Sequence, residues 1–148
     1  MFDVAVVGAG VVGGFIAREL VRRGASVCML EKAADVSMGA SGANSGIVHA
    51  GFDAKPGSLK ARFNVLGAQR MERVAQELGV PFRRCGSLVV AFRSGEEAVL
   101  LELLERGREN GVQELQLLSQ TELRKLEPDI APQASAALWA PSGSQSTF

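Results

Sequence analysis

The chain has 148 residues, 47% of them apolar, with 16 Lys and Arg against 16 Asp and Glu. This length and apolar fraction allow an ordinary domain with a real core. The formal charge is zero, no basic patch points to a nucleic-acid partner and no polybasic run to an anionic membrane surface, and no apolar run approaches the roughly 20 residues that span a bilayer.

The N-terminus leads straight into an apolar run, so no signal peptide is expected. Val4 to Val7 is short and β-branched, as in a buried strand. Gly8, Gly10 and Gly13 follow at G-x-G-x-x-G spacing. The spacing predicts a helix from Val11 to Arg23, with Phe15, Ile16, Leu20 and, less neatly, Val12 on its apolar face and Gly24 as its stop. A second strand, Val27 to Leu30, closes on the acid Glu31. Each part has a mechanical use. Gly8 permits the turn out of the strand, Gly10 lets a pyrophosphate approach the backbone, and Gly13 lets the helix pack on the strand. The helix start presents free N–H groups to phosphate. Glu31 can accept hydrogen bonds from a ribose hydroxyl. Together these features read as a dinucleotide site, and the motif alone does not choose between FAD and NAD.

Lys32 to Gly46 is dense in small residues. A flexible linker is the bland reading of such composition. It fits poorly, because the segment directly follows the ribose-binding acid and passes at once into the apolar IVHAGF. Gly39, Ala40, Ser41, Gly42, Ala43 and Gly46 would let backbone N–H groups wrap an anion, and Ser41, Asn44 and Ser45 add side-chain donors.

Ser58 to Leu78 predicts a long helix, capped by Ser58, stopped at Gly79, with Leu59, Phe63, Leu66, Val74 and Leu78 near one face. Beyond it, Ser87 to Phe92 is a strand. Glu96 to Asn110 is a helix with Val99, Leu100, Leu103 and Leu104 inward. Glu114 to Leu118 is a short strand, Ser119 to Glu122 a capping box opening a short helix, and Ala136 to Ala140 a strand carrying Trp139. This alternation suggests a second domain starting near Val80. Cys28 is expected to be a small buried hydrophobe and Cys85 a structural cysteine beside Arg83 and Arg84. The two show no metal-like spacing, so no metal is expected, and a reducing, cytoplasmic setting fits their usage.

The run GAGVVGG with Glu31, then GASGANSGIVHAGFDAKPGSLKARFNVLG, then GVPFRRCGSLVVAF resembles the FAD-dependent D-amino-acid-oxidase superfamily. Within it, the likeness points to the glycerol-3-phosphate dehydrogenase and L-2-hydroxyglutarate oxidase branch and extends through LEPDIAP and ALWAPSG. SGANSGIVHAG is the most specific part and disfavours an NAD-dependent enzyme, whose fold does not need that second wrap. The resemblance implies an α/β fold. A Rossmann-like FAD/NAD(P)-binding domain, doubly wound on a parallel sheet, would begin over residues 1–79, and an α+β substrate domain over 80–148. It also implies a flavin enzyme that takes a hydride from a small hydroxy acid or a phosphorylated alcohol. Gly8, Gly10 and Gly13, with Ala9 and Val12, would hold the FAD pyrophosphate, and Glu31, beside Lys32, the ribose. Ser41, Ala43, Asn44, Ser45 and Gly46 would line the cofactor.

The same resemblance places His49 close to the flavin ring. A lone histidine is more often structural, but this position suits a ring contact or a base near neutral pH. Lys55 and Lys60 follow in the same region and could meet an anionic substrate. The family's catalytic unit is more than twice this long. The ending Ser144 to Phe148 departs from the family pattern, so this chain is expected to be the N-terminal portion. It would then need a complementary C-terminal segment or an oligomer partner, because unpaired apolar edges invite association. The competing expectation is a non-catalytic dinucleotide-binding fragment or subunit.

Overall fold

The structure, a computed structural model, describes residues 1–146. Its residues fall into two compact units that divide between Ser45 and Gly46.

In the first unit, strand β1 (Val4–Val7) leads through the glycine turn into helix α1 (Val11–Arg22), which returns to strand β2 (Val27–Leu30). The strands pair in parallel, Val4 opposite Val27 through Val7 opposite Leu30. The Gly8 amide extends the ladder by donating to the Leu30 carbonyl at 2.7 Å. Gly8 has φ +100°, a conformation that favours glycine. At the other end of α1 the Arg23 amide still reaches the Glu19 and Leu20 carbonyls, and Gly24, at φ +88°, turns the chain away. Elements and bounds here follow the sequence expectation to within a residue.

The packing of α1 differs from that expectation. Ala17 is its buried residue and Phe15 and Leu20 are half-buried, while Val12 is 69% and Ile16 48% exposed. Among the described residues the parallel sheet has two strands, so α1 has little surface to cover. Val7 is 83% and Leu30 52% exposed for the same reason. Cys28, expected to be buried, is only half-buried in this two-stranded ladder.

The second unit contains, in order, strand β3 (Ile47–Val48), helix α2 (Leu59–Leu78), strands β4 (Phe82–Arg83) and β5 (Ser87–Ala91), helix α3 (Glu96–Glu109), strand β6 (Gln116–Ser119), helix α4 (Gln120–Leu126), and strands β7 (Ala136–Ala140) and β8 (Ser144–Ser146). Two antiparallel sheets result, ordered β3-β8-β4 and β5-β7-β6. Strand β7 sends alternate residues to opposite faces. Leu138 joins Leu100 and Leu104 of α3, and Ala137 joins Leu123 of α4. Complete burial of Leu138 contributes about 1.5–3 kcal/mol.

Several local expectations shift. Helix α2 buries Ala61 and Ala75 and half-buries Val65 and Ala68, while Leu59, Phe63 and Leu78 are exposed. Leu66 and Val74 of the expected face are half-buried, and the fully buried positions are the two alanines. On α3, Val99 is 51% exposed, which leaves Leu100 and Leu104 as the inward pair with Leu103 packed against them. Strand β6 starts at Gln116 rather than Glu114, because Glu114 takes φ +59° and cannot continue a strand. Strands β4 and β8 carry no strand signal in the sequence. Nevertheless β8 lies at the centre of its sheet, pairing Gln145 with both Ile47 and Arg83. Thr147 and Phe148, part of the ending read as a departure from the family, lie outside the described residues. Helix α2 contacts β3 and β4 and so packs with the second unit. That grouping by contacts is a different partition from the expected domains 1–79 and 80–148.

Candidate dinucleotide site

Helix α1 opens without a side-chain cap of its own, because its N-cap is Gly10. Ser41 supplies the missing acceptor: the Val11 amide donates to Ser41 Oγ at 2.8 Å. A second tie lies one turn away, where the Ser37 amide donates to the Ala9 carbonyl at 3.0 Å. The Lys32–Ser45 segment is thus seated on the glycine turn within the first unit. It is also folded on itself. The Gly42 amide bonds the Gly39 carbonyl at 3.1 Å, and the Ala43 amide bonds the Ala40 carbonyl at 3.3 Å. Asn44 Nδ2 donates to the Ser41 carbonyl.

Glu31 completes this cluster. One carboxylate oxygen accepts the Ala9 amide at 2.7 Å, and the other accepts the Ala33 amide at 2.9 Å. The backbone bond from Ala9, then that from Ala33, holds its carboxyl below the ordinary value of 4.5, with smaller contributions from Lys32. An ionised carboxylate has about four lone-pair positions, so it can still accept from a ribose hydroxyl.

Glycine spacing has a geometric cause at two points. A Cβ on Gly13 would lie 1.9 Å from the Gly8 carbonyl oxygen, so only glycine lets α1 pack on the turn. A Cβ on Gly10 would lie 3.1 Å from Ser41 Oγ. The amides of Val12 and Gly13, in the first turn of α1, have no intrahelical partner. Gly8, Ala9, Gly10, Val12, Gly13, Glu31, Lys32, Ser41, Ala43, Asn44 and Ser45 all belong to the first unit. The hydrogen-bond frame also uses Ser37, which the sequence reading does not single out; its φ of +58° has no sequence signal in a serine.

Gly46 and His49 belong to the second unit. Gly46 has φ +68°, and its carbonyl accepts the Ser146 amide at 2.8 Å. His49 follows β3 and is exposed. The segment beyond it is pinned by Asn110, whose Nδ2 donates to the carbonyls of Gly51 at 2.9 Å and Ala54 at 2.8 Å. Also in this unit is a cavity of about 410 Å³ between α2, β4 and the 111–114 turn. The Arg84–Glu72 ion pair at 2.6 Å borders it, and Ser142 Oγ is buried there without a partner. None of the residues expected to hold a cofactor lines it.

The family described as DAO, FAD dependent oxidoreductase, matches residues 3–146. The chain is 46% identical over 143 residues to a glycerol 3-phosphate dehydrogenase of Caloramator mitchellensis, covering 97% of this chain and 30% of that protein. Against the mitochondrial L-2-hydroxyglutarate dehydrogenase of Homo sapiens it is 40% identical over 129 residues, covering 86% of this chain and 28% of that one. Among solved structures, the dithionite-reduced, FAD-bound L-α-glycerophosphate oxidase of Mycoplasma pneumoniae superposes with a TM-score of 0.87 at 33% identity, covering 97% of this chain and 38% of the other. The chain therefore spans about 30% of the length of the curated relatives it matches. With the glycine turn, Glu31 and the seated Lys32–Ser45 segment arranged as described, the match over residues 3–146 settles the assignment: the chain belongs to the DAO family of FAD-dependent oxidoreductases.

Proposed function

We propose that this chain supplies the dinucleotide-binding segment of an FAD-dependent oxidoreductase that takes a hydride from glycerol 3-phosphate or a small hydroxy acid. The observation that carries the reading is the seating of the Lys32–Ser45 segment on the glycine turn through Ser41 and Ser37. An NAD site does not require that second wrap. The glycerol 3-phosphate and L-2-hydroxyglutarate dehydrogenases among the relatives support the hydroxyl-bearing substrate class.

The residues present fit the cofactor. Gly8, Gly10 and Gly13 keep side chains away from the pyrophosphate path, while the amides of Val12 and Gly13 and the positive end of α1 favour its charge. Glu31 orients the adenosine ribose with Lys32 beside it. Ser41, Ala43, Asn44 and Ser45 line the diphosphate side, Asn44 through its amide and Ala43 through its lack of bulk. When bound, FAD supplies the two-electron acceptor for the substrate C–H bond. For Gly46 and His49 the proposed roles are close backbone approach and a contact to the ring or a base, tested by the shift of flavin absorbance in His49→Ala.

A complementary polypeptide or a second copy is part of the proposal, because Val7, Met29 and Leu30 leave an apolar, two-stranded edge exposed. A sharp two-state unfolding transition in a monodisperse monomer would count against that need. The same exposure favours a second reading, a dinucleotide-binding subunit without turnover of its own. The deciding experiment is an absorbance spectrum of the purified chain before and after adding FAD and desalting. Turnover with glycerol 3-phosphate or 2-hydroxyglutarate and an artificial electron acceptor follows. Retained flavin bands support the cofactor reading. Turnover separates enzyme from binding subunit, and activity that needs an added C-terminal segment identifies a split enzyme. Absence of flavin retention overturns the reading for the isolated chain.

A further inference from the structure

We infer that Ser41 is a positioning residue whose hydroxyl latches the Lys32–Ser45 segment onto the start of α1 before any cofactor arrives. The inference deepens the proposed cofactor reading and rests on it for its functional meaning, though the latch itself is testable without FAD.

The latch follows from an exchange of parts between distant stretches of chain. A helix start needs an acceptor for its first amides, and serine is among the best side chains for that task. Gly10 stands at the N-cap and has none. Ser41, separated by 30 positions from Val11, supplies it at 2.8 Å. The segment is prepared to hold Ser41 in place. Asn44 grips the Ser41 carbonyl, and Gly42 is the residue that fits there, since a Cβ would lie 2.4 Å from the Ser37 carbonyl oxygen. Ser37 then fastens to Ala9.

Gly10 thereby acquires a second requirement beside access for phosphate. A Cβ at 3.1 Å from Ser41 Oγ would crowd the latch directly. While accepting from Val11, a serine hydroxyl keeps its own hydrogen to donate. The segment is ordered in advance, so the entropy of ordering it does not count against ligand binding.

The test is amide hydrogen exchange by NMR on the 148-residue chain without FAD, comparing wild type, Ser41→Ala, Ser41→Thr and Gly10→Ala. In Ser41→Ala the Val11 and Ser37 amides are expected to exchange roughly fivefold faster, the size of one lost hydrogen bond. Ser41→Thr, which keeps the hydroxyl, stays within about twofold of wild type on the same scale. Gly10→Ala loosens the same amides with the hydroxyl intact, and adding it to Ser41→Ala produces little further change, because both act on one contact. FAD titration by flavin fluorescence is expected to weaken by roughly fivefold in Ser41→Ala. Unchanged Val11 and Ser37 exchange in Ser41→Ala overturns the latch, whatever the titration shows. Faster exchange in a chain that retains no FAD upholds the latch and overturns the cofactor reading instead.

Discussion

The carboxylate of Glu31 and the backbone amide of Ala9 meet at 2.7 Å although 22 positions separate them. The acid at the end of β2 therefore holds the glycine turn itself, independently of any ribose. Its second oxygen holds Ala33, at the start of the segment that carries Ser41.

This double use has a pH signature. The folded-state carboxyl is held below 4.5, first by the Ala9 bond and then by the Ala33 bond. A depressed pKa favours the folded chain above the unfolded value, and that contribution is lost as pH falls through the folded one. A carbon-13 titration of the Glu31 side chain is expected to give a midpoint below 4.5; a midpoint at or above it contradicts the account. Glu31→Gln is expected to lower the urea midpoint at neutral pH and to narrow its difference from wild type in acid.

Gly13 and Gly14 offer a paired test of why glycine stands where it does. In Gly13→Ala the new methyl meets the Gly8 carbonyl oxygen at 1.9 Å, so α1 must move off the turn. Overpacking of this kind costs about 1–3 kcal/mol. Gly14 has nothing within 4 Å of an added Cβ and lies inside the helix. Gly14→Ala is expected to stabilise by about 0.5–1 kcal/mol. Urea unfolding followed by far-UV circular dichroism reads both, and equal effects of the same sign would refute the argument.

Gly86 makes room for Trp139. A Cβ there would lie 1.7 Å from the indole ring, at a backbone φ of +69°. Gly86→Ala must displace the one tryptophan in the chain, at a cost of about 1–3 kcal/mol. The expected readout is a red shift of tryptophan emission together with a lower unfolding midpoint. Unchanged emission would contradict the contact.

Asn110 holds the segment that follows His49. Asn110→Ala removes the donor shared by the Gly51 and Ala54 carbonyls. Leaving such acceptors unsatisfied costs about 1–3 kcal/mol. Amide exchange in residues 50–54 is expected to quicken more than exchange in β7, where pairing is unaffected; uniform quickening would point to global destabilisation instead.

Features written in local chemistry were legible in the sequence. The β-branched run of β1, the glycine spacing before α1, Ser58 and Gly79 at the ends of α2, and the Ser119–Glu122 capping box each concern residues within a few positions of one another. Ser58 Oγ accepts the Ala61 amide at 3.2 Å as a cap should. Features made by distant pairing were hidden. Ser144–Ser146 has no strand propensity and becomes a strand because Ile47–Val48 and Phe82–Arg83 need a partner. Leu66 and Val74 of the expected α2 face are half-buried, whereas its fully buried positions, Ala61 and Ala75, are ones that side-chain size does not mark. Small residues around the glycine turn were readable as such. The particular bond from Ser41 to Val11 was not, because no periodicity links positions so far apart.

Among the described residues, the central strand of each antiparallel sheet is the latest of its three in sequence. Strands β3 and β4 wait for β8, and β5 and β6 wait for β7. A ribosome releasing this chain therefore exposes outer strands with no ladder to join until residues near 140 and then 146 have emerged. Premature release or stalling before that point leaves bare strand edges, the form most open to pairing with other chains. Strands β7 and β8 therefore set when these two sheets can close.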